Sequence, residues 1–264
     1  MQNPEALNSI AFEIIDGVAK ITLSNPSKYN AFYREMAFEL QAKLDECQEN
    51  DEIRAVYITG SGKAFCAGQD LEEAISSDGP ELSKIVSEHF NPIIFQLRNL
   101  RKPVVAAVNG VAAGAGANIV LACDIVIAKK SASFIQAFSK IGLIPDSGGT
   151  FFLPRIIGFQ KASALMMLGD KITADEAEKM GMIYKSVEDE AFDETTWAIA
   201  TKLATMPTYG LWLTKKALNE TYNNTLTQQL ALEDDLQSTS GESYDYNEGV
   251  QAFLDKRRPK FKGR

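Results

Sequence analysis

The feature that most constrains the fold is a recurring order of elements: a short β-branched run, a glycine-bearing turn, then a helical stretch. Ile53–Thr59 is followed by Gly60 and Gly62 and then by AFCAGQDL at 64–71. Val104–Val108 is followed by NGVAAGAGANIVLAC at 109–123, a glycine-rich turn that enters a helix. A further strand is predicted over Asp124–Ala128, ahead of a third loop, IGLIPDSGGT at 141–150. Short buried strands alternating with helices predict an α/β architecture.

The flanks extend this pattern. Ile10–Ile15 and Val18–Leu23 surround Asp16-Gly17, a two-residue signature of a β-hairpin. Asn25-Pro26-Ser27 breaks the run, and 30–50 reads as a helix with apolar Phe32, Met36, Leu40 and Leu44. Asp78-Gly79-Pro80 opens an amphipathic helix running to about Asn99. Beyond the third loop the chain reads as helical to about 254, with no strand of its own. No linker interrupts it. One core over 1–200 is expected, with a helical region at 201–264 packed against a neighbouring subunit or over the sheet.

Composition narrows the function. At 264 residues, 45% hydrophobic and 23% charged, the chain is an ordinary globular protein. Its net charge of −8 disfavours nucleic acid as a partner. That charge is polarised: the last nine residues, from Lys256, carry six positive charges and no acid, leaving −14 for the remainder. Three widely spaced cysteines fit neither a disulfide framework nor a zinc site, and Cys66 and Cys123 in apolar settings read as core. The single histidine, His89, leaves acid–base chemistry to carboxylates, and no metal site is expected. Neither an apolar membrane span nor a secretory leader is legible, so a cytoplasmic location is expected.

Ala67-Gly68-Gln69-Asp70 and Gly114-Ala115-Gly116 are glycine-rich loops through which backbone can approach a ligand. Two N–H groups converging there would form an oxyanion hole for a thioester carbonyl; simple turn chemistry is the plainer alternative. A dinucleotide fingerprint fits badly, because Gly116 is followed by Ala117, Asn118 and Ile119 without the third glycine. No phosphate-binding G-K-[ST] follows either. In the third loop, Asp146 is either a helix cap or a carboxylate whose proton affinity an apolar setting raises. Ser147 has no histidine nearby in sequence to make it a nucleophile.

Taken together, AFCAGQDL, NGVAAGAGANIVLACDIVIA, FSKIGLIPDSGGTFFLPR, KITADEAEKMGMI and EGVQAFLDKRRPKF resemble signature segments of the enoyl-CoA hydratase/isomerase (crotonase) superfamily. The resemblance spans essentially the whole chain. It implies a spiral of ββα repeats with a helical C-terminal trimerisation region, acting on acyl-CoA thioesters as a homotrimer or dimer of trimers. Coenzyme A then arrives as part of the substrate, and no separate cofactor is implied. Carried over by position, the oxyanion amides are the N–H groups of Gln69 and Ala115. The CoA contacts are Lys28, Ala67, Asp70, Lys256 and Lys260, the two tail lysines often serving a neighbouring subunit. His89, Asn118 and Phe138 are expected in the acyl pocket, with Phe90, Ile94 and Leu97 near His89.

The family's hydratases use two glutamates, and here those positions are Asn118 and Phe138. Neither side chain accepts a proton at neutral pH, which argues against hydration. Asp146 stands where hydratases commonly have glycine. The IPDSGGT loop with Asn118 and Phe138 is most similar to the subgroup of 1,2-epoxyphenylacetyl-CoA isomerases of phenylacetate degradation. The expected activity is therefore proton-shuttling isomerisation of an acyl-CoA, of a ring epoxide to an oxepin or of a 3-enoyl to a 2-enoyl thioester. Open alternatives are a hydratase, a thioester hydrolase, or a 4-chlorobenzoyl-CoA dehalogenase with His89 as base and Asp146 as nucleophile. A non-catalytic RNA-binding relative is the remaining one, disfavoured by the acidic charge.

Overall fold

A computed structural model describes residues 9–264. The leader reading above rests partly on residues 1–8, which lie outside the described residues. The chain opens with the expected hairpin, β1 (Ile10–Ile15) and β2 (Val18–Leu23), paired antiparallel with Ile15 opposite Val18. Helix α1 (Arg34–Glu49) follows, starting four residues later than the periodicity predicts. The reason is Asn30, whose backbone lies in the left-handed region at φ 56° and whose side chain is buried.

Three repeats come next, each placing one strand in a large sheet and one in a small sheet. The first has β3 (Ala55–Gly60), β4 (Ala64–Cys66), α2 (Leu71–Ala74), α3 (Leu82–Lys84) and α4 (Asn91–Asn99). A π-helical turn over Ile85–Phe90 joins α3 to α4, so the expected helix is real but carries a widened turn at His89. The second repeat has β5 (Val104–Val108), β6 (Val111–Ala113) and α5 (Ala115–Ala122). The third has β7 (Ile125–Lys129), β8 (Ser133–Ile135), α6 (Gly149–Ile157) and α7 (Phe159–Leu168). The chain closes with β9 (Lys171–Thr173), α8 (Ala174–Lys179), β10 (Lys185–Val187), α9 (Phe192–Ala204), α10 (Thr208–Glu220), α11 (Leu226–Gly241) and α12 (Tyr244–Leu254).

The large sheet runs β1-β2-β3-β5-β7-β10, parallel apart from the opening hairpin, and the small sheet runs β4-β6-β8-β9. Each repeat thus advances one strand in both sheets, which is a spiral of ββα units. Strands β9 and β10 correct the expectation of a strand-free final third. A boundary at 200 would fall inside α9, which packs on the large sheet.

Alternation explains why the large sheet's strands read as continuous apolar runs. Val56 and Ile58 of β3 point into the core shared with α1, α4 and α5, whereas Ala55 and Tyr57 point into a second core under α9. A parallel sheet covered on both faces has no polar side to reveal its period.

Helix α10 is tied to the core by ions. Lys215, almost fully buried, donates to Asp124 Oδ2 at 2.8 Å and to the Leu97 carbonyl at 2.6 Å. Asp124 also accepts from the Val104 N–H at 2.8 Å and pairs with Arg98 at 3.4 Å. Among the described residues, no helix is long and apolar enough to cross a membrane.

Candidate active site

Two glycine loops meet where β4 and β6 end. Phe32 forms an isolated parallel bridge with Gln69, donating to the Gly68 carbonyl at 2.7 Å and accepting from Asp70 N–H at 2.7 Å. In a parallel bridge the bonds go to the residues flanking the partner, so the N–H of Gln69 itself points away from Phe32. Gly68, at φ 94°, packs against the second loop: a Cβ there would lie 3.3 Å from the Ala115 nitrogen and 3.1 Å from the Ala113 oxygen. Gly116 permits the same closeness, since its Cβ would sit 2.3 Å from the Cys66 oxygen. Neither the Gln69 nor the Ala115 N–H is donated to a backbone or side-chain acceptor among the described residues. Ala115 is the first residue of α5, where unpaired N–H groups and the positive end of the helix dipole coincide.

Asn30 and Asn109 hold the first loop in place. Asn30 Nδ2 donates to the carbonyls of Ser61, Ala64 and Phe65 at 2.9, 2.8 and 3.2 Å. Asn109 accepts from Gly60 N–H at 3.0 Å and donates to Gly62 and Ala64 carbonyls. Sequence reasoning missed both: Asn30 stands where a helix start is expected, and Asn109 directly follows β5 ahead of Gly110.

The third loop carries Asp146 and is pinned from behind. The Asp146 carbonyl accepts from Asn118 Nδ2 at 2.8 Å and from Gly149 N–H at 2.8 Å. Asn118 Oδ1 in turn accepts from Gln136 Nε2 at 2.8 Å. The fully buried Asn118 side chain is thus spent on the loop rather than offered to an acyl group, a correction to the pocket role expected of it. Burial pushes the Asp146 carboxyl above its ordinary value, and the Ser147 hydroxyl, donating at 2.8 Å, draws it partly back. Asp146 is not a helix cap: Gly148 occupies that position in front of α6.

Phe138 lies beside the Ala115 loop, its ring 3.8 Å from where a Cβ on Gly114 would be. His89 is corrected from pocket wall to core. It has no exposed surface, stacks edge-on against Phe38 at 5.7 Å, and neither ring nitrogen has a hydrogen-bond partner. Of its expected neighbours, Ile94 borders a cavity of about 570 Å³ together with Leu121, Gly148, Phe151 and Phe152, while Phe90 and Leu97 are buried away from it. The cavity is apolar on most of its wall and touches the acid loop at Gly148.

The expected CoA contacts separate into three groups. Ala67 is exposed at the loop's rim. Lys28 and Asp70 instead pair with each other at 2.6 Å, Lys28 also reaching Glu72 at 2.8 Å. The hydrogen bond that Lys28 donates to Asp70 leads the causes that hold its ammonium above its ordinary value. Burial would raise the Asp70 carboxyl, but Lys28 and the Glu72 N–H bring it below normal. Asp70 caps α2, so both of its oxygens have partners within the chain.

Lys256 and Lys260 lie in a tail that folds back on α12, where Lys260 N–H donates to Glu248 at 2.7 Å. The tail's end is held by Asp245, which accepts from the Lys262 and Gly263 N–H groups, and by Arg54. Arg54 precedes β3 and the glycine loops lie beyond its other end. With about 3.3 Å per residue, on the order of 16 Å separate the two ends. The tail's last residues are therefore anchored near the end of β3 opposite the loops. Cys66 and Cys123 are buried, and desolvation pushes both thiols up to about 12, which leaves them inert.

The site thus combines two backbone amides without protein acceptors, at Gln69 and Ala115, with a half-buried carboxylate, Asp146, on the third loop. A family profile described as enoyl-CoA hydratase/isomerase matches residues 13–264, and the chain belongs to that family. It is 47% identical to the 1,2-epoxyphenylacetyl-CoA isomerase of Escherichia coli over 94% of this chain and 96% of that one. It is 46% identical to the "Probable enoyl-CoA hydratase" of Rhodobacter capsulatus over 97% and 99%. Among solved structures, an enoyl-CoA hydratase from Bacillus anthracis superposes with a TM-score of 0.90 at 33% identity, covering 97% of this chain and all of that one.

Proposed function

We propose that the protein isomerises an acyl-CoA thioester through an enolate, with Asp146 as the proton shuttle. The observation that carries this reading is a single half-buried carboxylate of raised proton affinity, in a site where Asn118 and Phe138 replace the acids that hydration needs. The Asp146 carboxylate removes a proton from C2, and the bonding pair moves onto the thioester oxygen. The N–H groups of Gln69 and Ala115 stabilise that oxyanion. Collapse of the enolate moves the double bond from C3=C4 to C2=C3 as Asp146 returns the proton to C4. No atom is gained or lost. A ring-epoxide substrate, opened to an oxepin, is supported by the identity to the E. coli isomerase.

Lys256 and Lys260 are assigned to the CoA phosphates of a neighbouring subunit, which requires an oligomer, a trimer or two. Sedimentation at working concentration tests that requirement, and a monomer would overturn it.

The reaction itself is tested by product mass. With 3-enoyl-CoA or the ring epoxide, isomerisation leaves the mass unchanged. Hydration of 2-enoyl-CoA adds one water, thioester hydrolysis releases free CoA, and dehalogenation of 4-chlorobenzoyl-CoA replaces chlorine with hydroxyl. Any of the last three as the main reaction overturns the proposal. The dehalogenase alternative is disfavoured by the position of His89, which has no open surface from which to activate water.

A further inference from the structure

We propose that Glu73 is a positioning residue for the thioester-polarising amide of Gln69, clamping its loop to the first turn of α1; the proposal rests on the enolate reading above. The Glu73 carboxylate is shared between two elements. Its Oε2 accepts from Gln69 Nε2 at 2.7 Å, and its Oε1 accepts from the Arg34 N–H at 3.0 Å. Arg34 is the first residue of α1, and its N-cap, Tyr33, supplies no side-chain bond. Glu73 supplies that bond from α2, where the positive end of α1 favours a carboxylate.

Gln69 is therefore held at two points. The Phe32 bridge fixes the backbone on either side of it, and Glu73 fixes its side chain. Both points run through the segment entering α1, so the direction of the Gln69 N–H is referred to a long helix rather than to a surface turn. Oxyanion donors act through orientation, and a donor free to swing loses most of its effect on the transition state.

His89 reports on the same carboxylate. It is the only histidine in the chain, and Glu73 exerts the leading upward pull on an imidazole that burial pushes down. The other charged groups acting on it are Arg34 and Glu35 of α1 and Glu88 of its own turn. A change in the charge or place of Glu73 is thus visible in the titration of one ring.

The test uses the untagged full-length chain and the variants Glu73→Ala, Glu73→Gln and Gln69→Leu. It follows exchange of the acyl-CoA α-proton with deuterated solvent, kcat and KM for isomerisation, and the His89 ring signals by NMR. Glu73→Ala and Gln69→Leu should each lower kcat roughly tenfold, less than the 10²–10³ for deleting an oxyanion donor, with KM unchanged. Glu73→Gln, which keeps an acceptor oxygen, should lose less. The double variant should lose no more than either single one, because both break one clamp. The His89 midpoint should fall in both Glu73 variants and stay put in Asp146→Asn. Gln69→Leu leaves the bond to Arg34 in place, so it separates the clamp from the capping of α1. Normal kcat in Glu73→Ala or Gln69→Leu, or additive losses, overturns this proposal alone. Absence of α-proton exchange by the unmodified chain overturns the enolate reading and this proposal together.

Discussion

The side-chain amide of Asn118 donates to the backbone carbonyl of Asp146 at 2.8 Å, tying the second turn of α5 to the loop that carries the acid. Asn118→Asp keeps the shape and removes the donor, so an oxygen would face the carbonyl where an N–H now does. Asn118 has no exposed surface, and the mispairing has no water to relieve it. A loss of about 1–3 kcal/mol in stability is expected, together with a fall in kcat as the Asp146 loop shifts. Denaturant unfolding and steady-state kinetics check the two parts separately. An aspartate variant with wild-type stability and kcat would show that the bond does not position the loop.

The pH profile should carry the signature of a buried carboxylate. Asp146 must be ionised to take a proton, and burial raises its affinity for one. As pH falls, kcat/KM should therefore decline at a higher pH than an ordinary aspartate near 3.9 would dictate. Ser147→Ala removes a hydrogen bond that favours the charged form, so it should move the acid limb to still higher pH. Asp146→Asn should lower kcat by about 10²–10⁴ and abolish the limb. Near wild-type turnover in that variant would mean another base.

The Ala115 amide can be removed without deleting a side chain. Proline is tolerated at the first position of a helix, where its missing N–H had no intrahelical partner. Ala115 holds that position in α5, after Gly114. Ala115→Pro should keep the melting temperature within a few degrees while lowering kcat by about 10²–10³, the usual cost of losing one oxyanion donor. A folded proline variant with normal kcat would remove Ala115 from the mechanism.

A separate prediction concerns stability alone. Lys215 is buried against Asp124, and burial lowers its affinity for a proton while Asp124 opposes the change. Lys215→Met leaves the longer contact to Arg98 as the one ion pair of Asp124, beside its bond from the Val104 N–H. A loss of about 3 kcal/mol is expected, the low end for breaking a buried pair. Adding Asp124→Asn should recover part of it, since the amide oxygen can still accept from Val104. Denaturant midpoints for the singles and the double provide the check. Equal loss in the double and in Lys215→Met would contradict the pairing.

Much of this was legible in the amino-acid order, for identifiable reasons. The hairpin was readable because Asp-Gly dictates its turn, and the Asp146 loop because acid, serine and glycine stand between apolar runs. Strands β4, β6, β8, β9 and β10 were not, because three residues are too few to display a period. Asn30 passed for a helix start because its left-handed backbone and five hydrogen bonds are set by residues more than thirty positions away or on the preceding turn. Lys28 and Asp70, 42 positions apart, read as separate CoA contacts, and the fold pairs them with each other. His89 read as a pocket residue because an amphipathic helix shows which side is apolar, not what covers it.

The Gln69 amide and the acid hang from different supports, whereas the Ala115 amide shares α5 with Asn118. Phe32, Asn30 and Asn109 hold the loop with Gln69, whereas Asn118, Gln136 and Gly149 hold the loop with Asp146. Each can be altered while the other stands. On the proposed mechanism, a chain stripped of its acid would still grip and polarise a thioester, and so would serve as a trap that holds the substrate unturned. Conversely, a different side chain at 146 meets a carbonyl already activated. One scaffold of this construction can host several reactions, with the grip conserved and the tool exchanged.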